Sequence, residues 1–133
     1  MTLAEYLDQC CRRRWKWGVH DCTLFAADWV RTVTGVDPAA GWRGTYGSAD
    51  ECRDRLAMAG GLDAVVSRAM SGAGFIETRA PSCGDVGLII APTAADSMGM
   101  ISAIRQHDLW VARGLRGIMA ARFDVVKAWR VMP

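Results

Sequence analysis

The stretch WGVHDCTLFAADWV, Trp17–Val30, decides the fold because it contains the clearest helix signal in the chain. Apolar residues recur here at helical spacing, and such a stripe predicts a helix with one buried face. The stripe consists of Cys22, Phe25, Ala26, Trp29, Val30 and Val33. Asp21 is the expected N-cap, because its carboxylate can accept hydrogen bonds from the free N–H groups of the first turn. Gly35 is expected to end the helix.

Cys22 stands at the predicted start of this helix, directly after His20 and Asp21. The positive end of a helix dipole lowers the pKa of a thiol in the first turn, which is one way in which cysteine nucleophiles are activated. The negative charge of Asp21 acts in the opposite direction. A place on the apolar stripe also suits a small core residue. These residues alone leave both interpretations of Cys22 open.

The rest of the chain predicts helices first and strands second. Three further helices are expected at about residues 3–13, from Ser48 to Met58, and over LDAVVSRAM up to Gly72. Ser48 and Glu51 form the S-x-x-E pattern that begins a helix. Six short segments after Phe75 have strand composition: FIETR, DVGLII, MGMISAIR, LWVARG, GIMAARF and VVKAWRV. The order predicts one α+β domain over residues 1–133, in which N-terminal helices pack on a C-terminal antiparallel sheet.

Composition excludes several classes of protein. The net charge of +2 is too small to indicate a nucleic-acid partner, and RRRWKW is expected to be a solvated helix end. Five cysteines without C-x-x-C spacing argue against a zinc site and a disulfide framework, so neither a metal nor a cofactor is expected. No apolar run reaches the roughly 20 residues of a membrane span, and the N-terminus does not have the pattern of a signal peptide.

Two motifs carry a family resemblance. WGVHDCTLFAADWV and the later CGDVGLII resemble the nucleophile helix and the Gly-Asp strand of the NlpC-type papain-like cell-wall peptidases. More narrowly, the chain is similar to a family of small phage and prophage tail-associated proteins related to that fold, through TGVDPAAGWRGTYGS, GDVGLI and KAWRV. The resemblance implies a papain-like fold with Cys22 at the nucleophile position. It also implies location in a virion tail that is assembled in the bacterial cytoplasm.

The chain departs from the peptidase pattern at the catalytic base. In those peptidases the strand after the Gly-Asp strand opens with a His-x-Gly-hydrophobic pattern, and the matching stretch here is SMGMISAI. Gly99 aligns with the glycine of the pattern, so Ser97 occupies the place of the histidine. A serine cannot act as a base near neutral pH. The two histidines of the chain, His20 and His107, are the remaining candidates for a catalytic partner of Cys22.

Two functional interpretations follow from the resemblance and from this departure. The first is a structural or assembly protein of a phage or prophage tail, at its tip, built on a papain-like fold in which Cys22 is a vestigial nucleophile. Its partners are other tail proteins, and Arg12–Trp17 and Trp42–Tyr46 are the candidate anchors because aromatic residues and arginine are enriched in interfaces. The alternative is an active cysteine endopeptidase or amidase that cleaves the peptide of peptidoglycan, with His107 or His20 as base.

Overall fold

The computed structural model describes residues 1–93 and 97–133, in which four helices precede six strands. The helices are Leu3–Cys11 (α1), Leu24–Thr34 (α2), Ala49–Met58 (α3) and Leu62–Gly72 (α4). The strands are Ile76–Glu77 (β1), Val86–Ala91 (β2), Gly99–Gln106 (β3), Leu109–Gly114 (β4), Gly117–Ala121 (β5) and Asp124–Arg130 (β6). Each strand overlaps one of the predicted segments, so the expected succession of helices and strands is confirmed.

The six strands form one sheet in the order β1-β6-β2-β3-β4-β5, and every neighbouring pair is antiparallel. Strands β2 to β5 are neighbours in the sheet in the same order as in the chain. The last strand, β6, returns to lie between β1 and β2. The α+β class with a C-terminal antiparallel sheet is therefore confirmed.

Helix α3 begins as its capping pattern predicts. The hydroxyl of Ser48 accepts a hydrogen bond from the backbone N–H of Glu51 at 3.1 Å. The Glu51 carboxylate accepts one in return from the N–H of Gly47, one residue before the cap. The four helices span 9 to 11 residues each. No helix in the described ranges is long and apolar enough to cross a membrane.

Helix α2 begins at Leu24, later than the sequence predicts. Cys22 lies in the turn before it, and Thr23 rather than Asp21 occupies the N-cap position. The expected role of Asp21 is nevertheless present, since its Oδ1 accepts hydrogen bonds from the N–H groups of Thr23 and Leu24 at 3.0 and 2.9 Å. The predicted start of the helix is too early, because the helical spacing of apolar residues continues through the turn before Leu24. At the other end, Gly35 has φ 78° and ends the helix as predicted.

The helices and one face of the sheet enclose the main core. Phe25 and Trp29 of α2 are buried there together with Tyr6 of α1 and Trp129 of β6. Trp29 also donates a hydrogen bond of 2.8 Å from its Nε1 to the carbonyl oxygen of Gly84, just before β2. The predicted apolar face of α2 therefore packs on the sheet, and its largest residue is tied to the start of a central strand.

The opposite face of the sheet carries a second apolar cluster, which the sequence analysis did not predict. Side chains alternate between the two faces of a strand, so neighbours of the main-core residues point the other way. The buried members are Ile89, Ala91, Ile101, Ala103, Trp110, Ala112 and Ala128. Cys22 packs against this cluster together with Met119 and Phe123.

Candidate functional site

Cys22 lies on a groove between the turn before α2, the helix α3 and the beginning of β3. The groove is lined by Cys22 with, among others, Trp17, Cys52, Leu56, Gly99 and Ile101, and is called the Cys22 groove below. Cys22 is half-buried, whereas Cys52 is buried. Cys22 thus lies beside the strand that follows the Gly-Asp strand. The sequence analysis did not indicate that Cys52 would line the same groove.

Ser102 holds the Cys22 turn against β3. Its buried hydroxyl lies 3.0 Å from the carbonyl oxygen of Cys22 and 3.3 Å from that of Thr23, and it can donate to either. These carbonyl groups belong to the turn that leads into α2. Sequence reasoning missed Ser102, because a serine inside a strand segment does not indicate which distant carbonyl group it will meet.

The Cys22 thiol is poorly suited to nucleophilic attack. Burial raises its pKa to about 12, and the neighbouring charge of Asp21 acts in the same direction. The thiolate is the nucleophilic form of cysteine, so the thiol that predominates at neutral pH is unreactive. The charge of Asp21 therefore acts on the pKa of the thiol in the direction that the sequence predicts.

His20 is directed towards a different partner. Its side chain is buried, and its Nε2 accepts a hydrogen bond of 3.2 Å from Nε of Arg113, at the end of β4. Burial and, after it, the charges of Arg13 and Arg113 lower the pKa of His20 to about 4. Within the described residues, no hydrogen bond joins a histidine nitrogen to the sulfur of Cys22. His20 is therefore neutral at physiological pH and engaged away from the thiol.

His107 also lies apart from Cys22, and Ser97 is an exposed residue before β3. His107 is exposed, has φ 55° and sits in the two-residue turn between β3 and β4. Strand β3 meets the Cys22 turn at Ser102, and five residues of strand separate the two points by about 16 Å. Ser97 is exposed and precedes the first residue of β3 by two positions, whereas Gly99 and Ile101 line the Cys22 groove. His107 is therefore not brought to the thiol, and Ser97 is not among the residues that line the groove.

Asp21 is the polar centre of this region. It is fully buried, and its Oδ1 accepts the two hydrogen bonds from the start of α2. Its Oδ2 accepts a further hydrogen bond from the N–H of Gly18 at 2.9 Å and one from the hydroxyl of Tyr46 at 2.7 Å. The carboxylate thus ties three segments together and is placed for structure rather than for proton transfer to a substrate.

Asp85 of the Gly-Asp motif has a similar structural role. It is fully buried, and its Oδ1 accepts hydrogen bonds from the N–H groups of Val131 and Met132 at 2.9 and 3.2 Å. Its Oδ2 accepts one from the N–H of Ser82 at 2.8 Å. The carboxylate therefore fastens the segment after β6 to the beginning of β2.

The arrangement around Cys22 holds a thiol and a groove but brings neither a base nor a metal ligand set to them. In the part of the chain that the structure describes, no group of three or more histidine, cysteine, aspartate or glutamate side chains could hold a metal ion. The model of a family described as a domain of unknown function (DUF6950) matches residues 1–131. No curated protein and no solved structure matches the chain.

Proposed function

The chain belongs to the DUF6950 family, whose matching model spans residues 1–131, and we propose that it is a structural or assembly protein of a phage or prophage tail. The proposal includes a papain-like fold of the NlpC type in which the catalytic set is incomplete. Cys22 is then a vestigial nucleophile whose surroundings have been retained for structure.

Three features support the papain-like part of the proposal. Cys22 lies in the turn that leads into a helix, and this helix packs on an antiparallel sheet. The turn that contains Cys22 is bonded to the strand after the Gly-Asp strand, through the hydroxyl of Ser102. The Gly84-Asp85 pair itself lies at the opening of β2. These are the relationships that the sequence resemblance leads one to expect.

The environment of the Cys22 sulfur is the observation that argues against hydrolysis. A thiol nucleophile needs a base or an imidazolium partner. The pKa of Cys22 is raised to about 12, and His20, the nearer histidine in the chain, accepts a hydrogen bond from Arg113 instead. With neither the thiolate nor the base in place, binding is a better explanation of this fold than catalysis.

The two candidate anchor segments form a continuous region, which supports a binding role. The N–H of Gly44 donates a hydrogen bond of 2.9 Å to the carbonyl oxygen of Gly18, so the Trp42–Tyr46 loop lies beside the segment that follows Arg12–Trp17. Trp15 and Trp17 stack edge to face with their ring centres 4.9 Å apart. Arginine and tryptophan side chains at one surface are typical of the centre of a protein interface. The tail setting itself rests on the sequence resemblance.

A pull-down combined with a hydrolysis assay tests the proposal. The chain is co-expressed with the tail proteins encoded beside it, and the purified protein is incubated with peptidoglycan while turbidity is followed, with Cys22→Ala as the matched variant. We expect a tail protein to be retained and the peptidoglycan to remain intact with both forms. Clearing of the peptidoglycan that requires Cys22, with no tail protein retained, would establish the cysteine peptidase instead.

A further inference from the structure

A second cleft, whose lining does not include Cys22, is dominated by arginine. Its lining consists of Arg13, Gly18, Val19, Asp28, Arg31, Arg43 and Gly44, and it is called the arginine cleft below. Arg13 follows α1, Arg31 lies in the last turn of α2, and Arg43 belongs to the Trp42–Tyr46 loop. Three separate segments therefore direct guanidinium groups to one place.

The carboxylates of the cleft are already occupied by Arg43. Its Nη1 donates to Oδ1 of the buried Asp28 at 2.6 Å, and its Nε and Nη2 donate to the two oxygens of Asp37 at 2.8 and 2.9 Å. These hydrogen bonds lower the pKa of Asp37, so its carboxylate is charged at neutral pH. Three of the five N–H donors of Arg43 are thereby used, and its two partners hold it in a fixed position.

The other two guanidinium groups retain unused donors. Within the described residues, the guanidinium group of Arg31 makes no hydrogen bond, and it approaches the carboxylates of Asp28 and Asp37 only to 3.7 and 3.8 Å. Arg13 reaches Asp28 through a single long contact of 3.4 Å. About half of the Arg31 side chain and somewhat less of the Arg13 side chain are exposed, at 51% and 43%. The cleft and the adjoining Asp37 thus hold three cations against two carboxylates, and the two cations without a bidentate partner are the more exposed ones.

We propose that the arginine cleft binds a carboxylate from an acidic segment of a partner protein. Two guanidinium groups with free N–H donors match the oxygens of an aspartate, a glutamate or a chain terminus, and such pairs are among the stronger hydrogen bonds in proteins. Val19, which is 44% exposed, gives the same cleft an apolar contact. The exposed side chains of Arg14 and Lys16 continue the positive charge along the chain from Arg13 and suit further acidic residues of the same segment.

The neighbouring aromatic residues favour a protein over a nucleic acid. Single-stranded nucleic acids bind basic surfaces through bases that stack on free aromatic faces. Here Trp15 packs against Trp17, and the buried guanidinium of Arg113 lies 5.5 Å from its ring centre. The ring of Trp42 is covered by Arg55 at 4.4 Å. These rings are covered by other side chains, whereas most of the N–H donors of Arg13 and Arg31 remain without a hydrogen-bond partner.

A titration with an acidic peptide tests this inference, which rests on the proposed binding role of the chain. The full-length protein, labelled with ¹⁵N, is titrated with acetylated and amidated hexaglutamate at low salt, and the arginine Nε–Hε signals are followed by NMR. We expect saturable shifts at Arg13 and Arg31. Arg31→Gln should weaken binding about tenfold, because one of the two free guanidinium groups is lost. The same change at the exposed Arg79, between β1 and β2, should weaken it less than about twofold, through long-range charge alone.

Arg31→Lys distinguishes a specific contact from general attraction. It keeps the charge but removes the planar pair of donors, so an intermediate loss is expected, and its folding serves as a check on the glutamine variant. Equal losses from Arg31→Gln and Arg79→Gln, or shifts without saturation, would overturn the inference, as would tighter binding of a hexanucleotide of single-stranded DNA. If a tail protein is retained in the pull-down while hexaglutamate causes no shift of the Arg13 and Arg31 signals, only this inference fails and the proposed function stands.

Discussion

The hydroxyl of Tyr46 donates a hydrogen bond of 2.7 Å to Oδ2 of Asp21, and both residues are buried. The same carboxylate accepts hydrogen bonds from the N–H groups of Gly18, Thr23 and Leu24. Asp21 therefore connects the loop before α3, the segment before Cys22 and the beginning of α2. It holds the Cys22 turn and one wall of the arginine cleft in their relative positions.

Asp21→Ala should lower the free energy of unfolding by at least about 3 kcal/mol. A lost N-cap costs about 1 kcal/mol, but this change leaves four donors without their acceptor, and an unsatisfied buried donor costs about 1–3 kcal/mol. Urea denaturation measures the difference. Tyr46→Phe removes only one of the four hydrogen bonds and should cost about 1–2 kcal/mol. If Asp21→Ala lowered the free energy of unfolding by only about 1 kcal/mol, Asp21 would act as an N-cap alone.

Gly18→Ala and Gly35→Ala should differ strongly although the two glycines have similar backbone angles, φ 77° and 78°. A Cβ at position 18 would overlap the backbone oxygen of Tyr46, whereas a Cβ at position 35 would meet open space. We expect Gly35→Ala to cost about 1 kcal/mol through the left-handed conformation alone, and Gly18→Ala clearly more. Thermal unfolding of the two variants gives the comparison, and equal melting temperatures would show that the contact between position 18 and the Tyr46 loop is absent.

Trp29→Ala should cost about 3–5 kcal/mol, as other large-to-small changes in a core do. Trp29 is 1% exposed and donates to the carbonyl oxygen of Gly84. Trp29→Phe should cost less, because much of the packing remains while that hydrogen bond is lost. Trp17→Ala, at a half-buried position, is the matched control for the loss of an indole. If chemical denaturation showed a larger loss of stability for Trp17→Ala than for Trp29→Ala, the described packing of α2 on the sheet would be contradicted.

The stability of the protein should fall as the pH drops from about 6.5 to about 4, partly because of His20. Its pKa is lowered from 6.5 to about 4 in the folded protein, so the unfolded chain takes up the proton first and is favoured in this range. Above pH 6.5 both states are neutral at this residue, and the full stability is present. His20→Gln should reduce the slope of stability against pH. Identical slopes for the unchanged protein and for His20→Gln in pH-dependent urea titrations would contradict the assignment.

Cys22 should react with iodoacetamide much more slowly than the exposed Cys83 near neutral pH. Raising a thiol pKa from 9.0 to about 12 lowers the thiolate fraction about a thousandfold, and the thiolate is the reactive form. Mass spectrometry of peptides after timed labelling measures both rates in one sample. Denaturation should remove the difference, which provides the internal control. Preferential labelling of Cys22 in the folded protein would indicate an activated nucleophile and would favour the peptidase interpretation.

The elements of the fold could be predicted because their signals are local. The stripe of α2, the cap of α3 and the six strand segments each depend on neighbouring residues, and all of them are present in the structure. The one clear error, the start of α2, arose because a turn and a helix can share the same apolar spacing at their junction. The second apolar cluster was missed since strand composition does not show whether the outer face of a sheet is also covered.

The candidate site was less accessible from the sequence, because its contacts join distant residues. Cys22 and the Ser102 hydroxyl are separated by 80 positions, and His20 and Arg113 by 93. No spacing rule connects such pairs. The arginine cleft is also assembled from three segments, so RRRWKW indicated a charged surface but not that Arg13 would meet Arg31 and Arg43 around a buried carboxylate.

The position of β6 between β1 and β2 has a consequence for synthesis of the protein. Strands β2 to β5 can pair as they leave the ribosome, because β3, β4 and β5 each lie next to the strand that precedes them in the chain. The other edge of β2 pairs with Asp124–Arg130, so it stays unpaired until this segment has been made. The position in the core that Trp129 fills stays empty for the same time. A ribosome-bound chain that stops before β6 would therefore expose an unpaired central strand. The native sheet is expected to close only after this last strand has emerged, so chaperone binding would be most useful at that stage of translation.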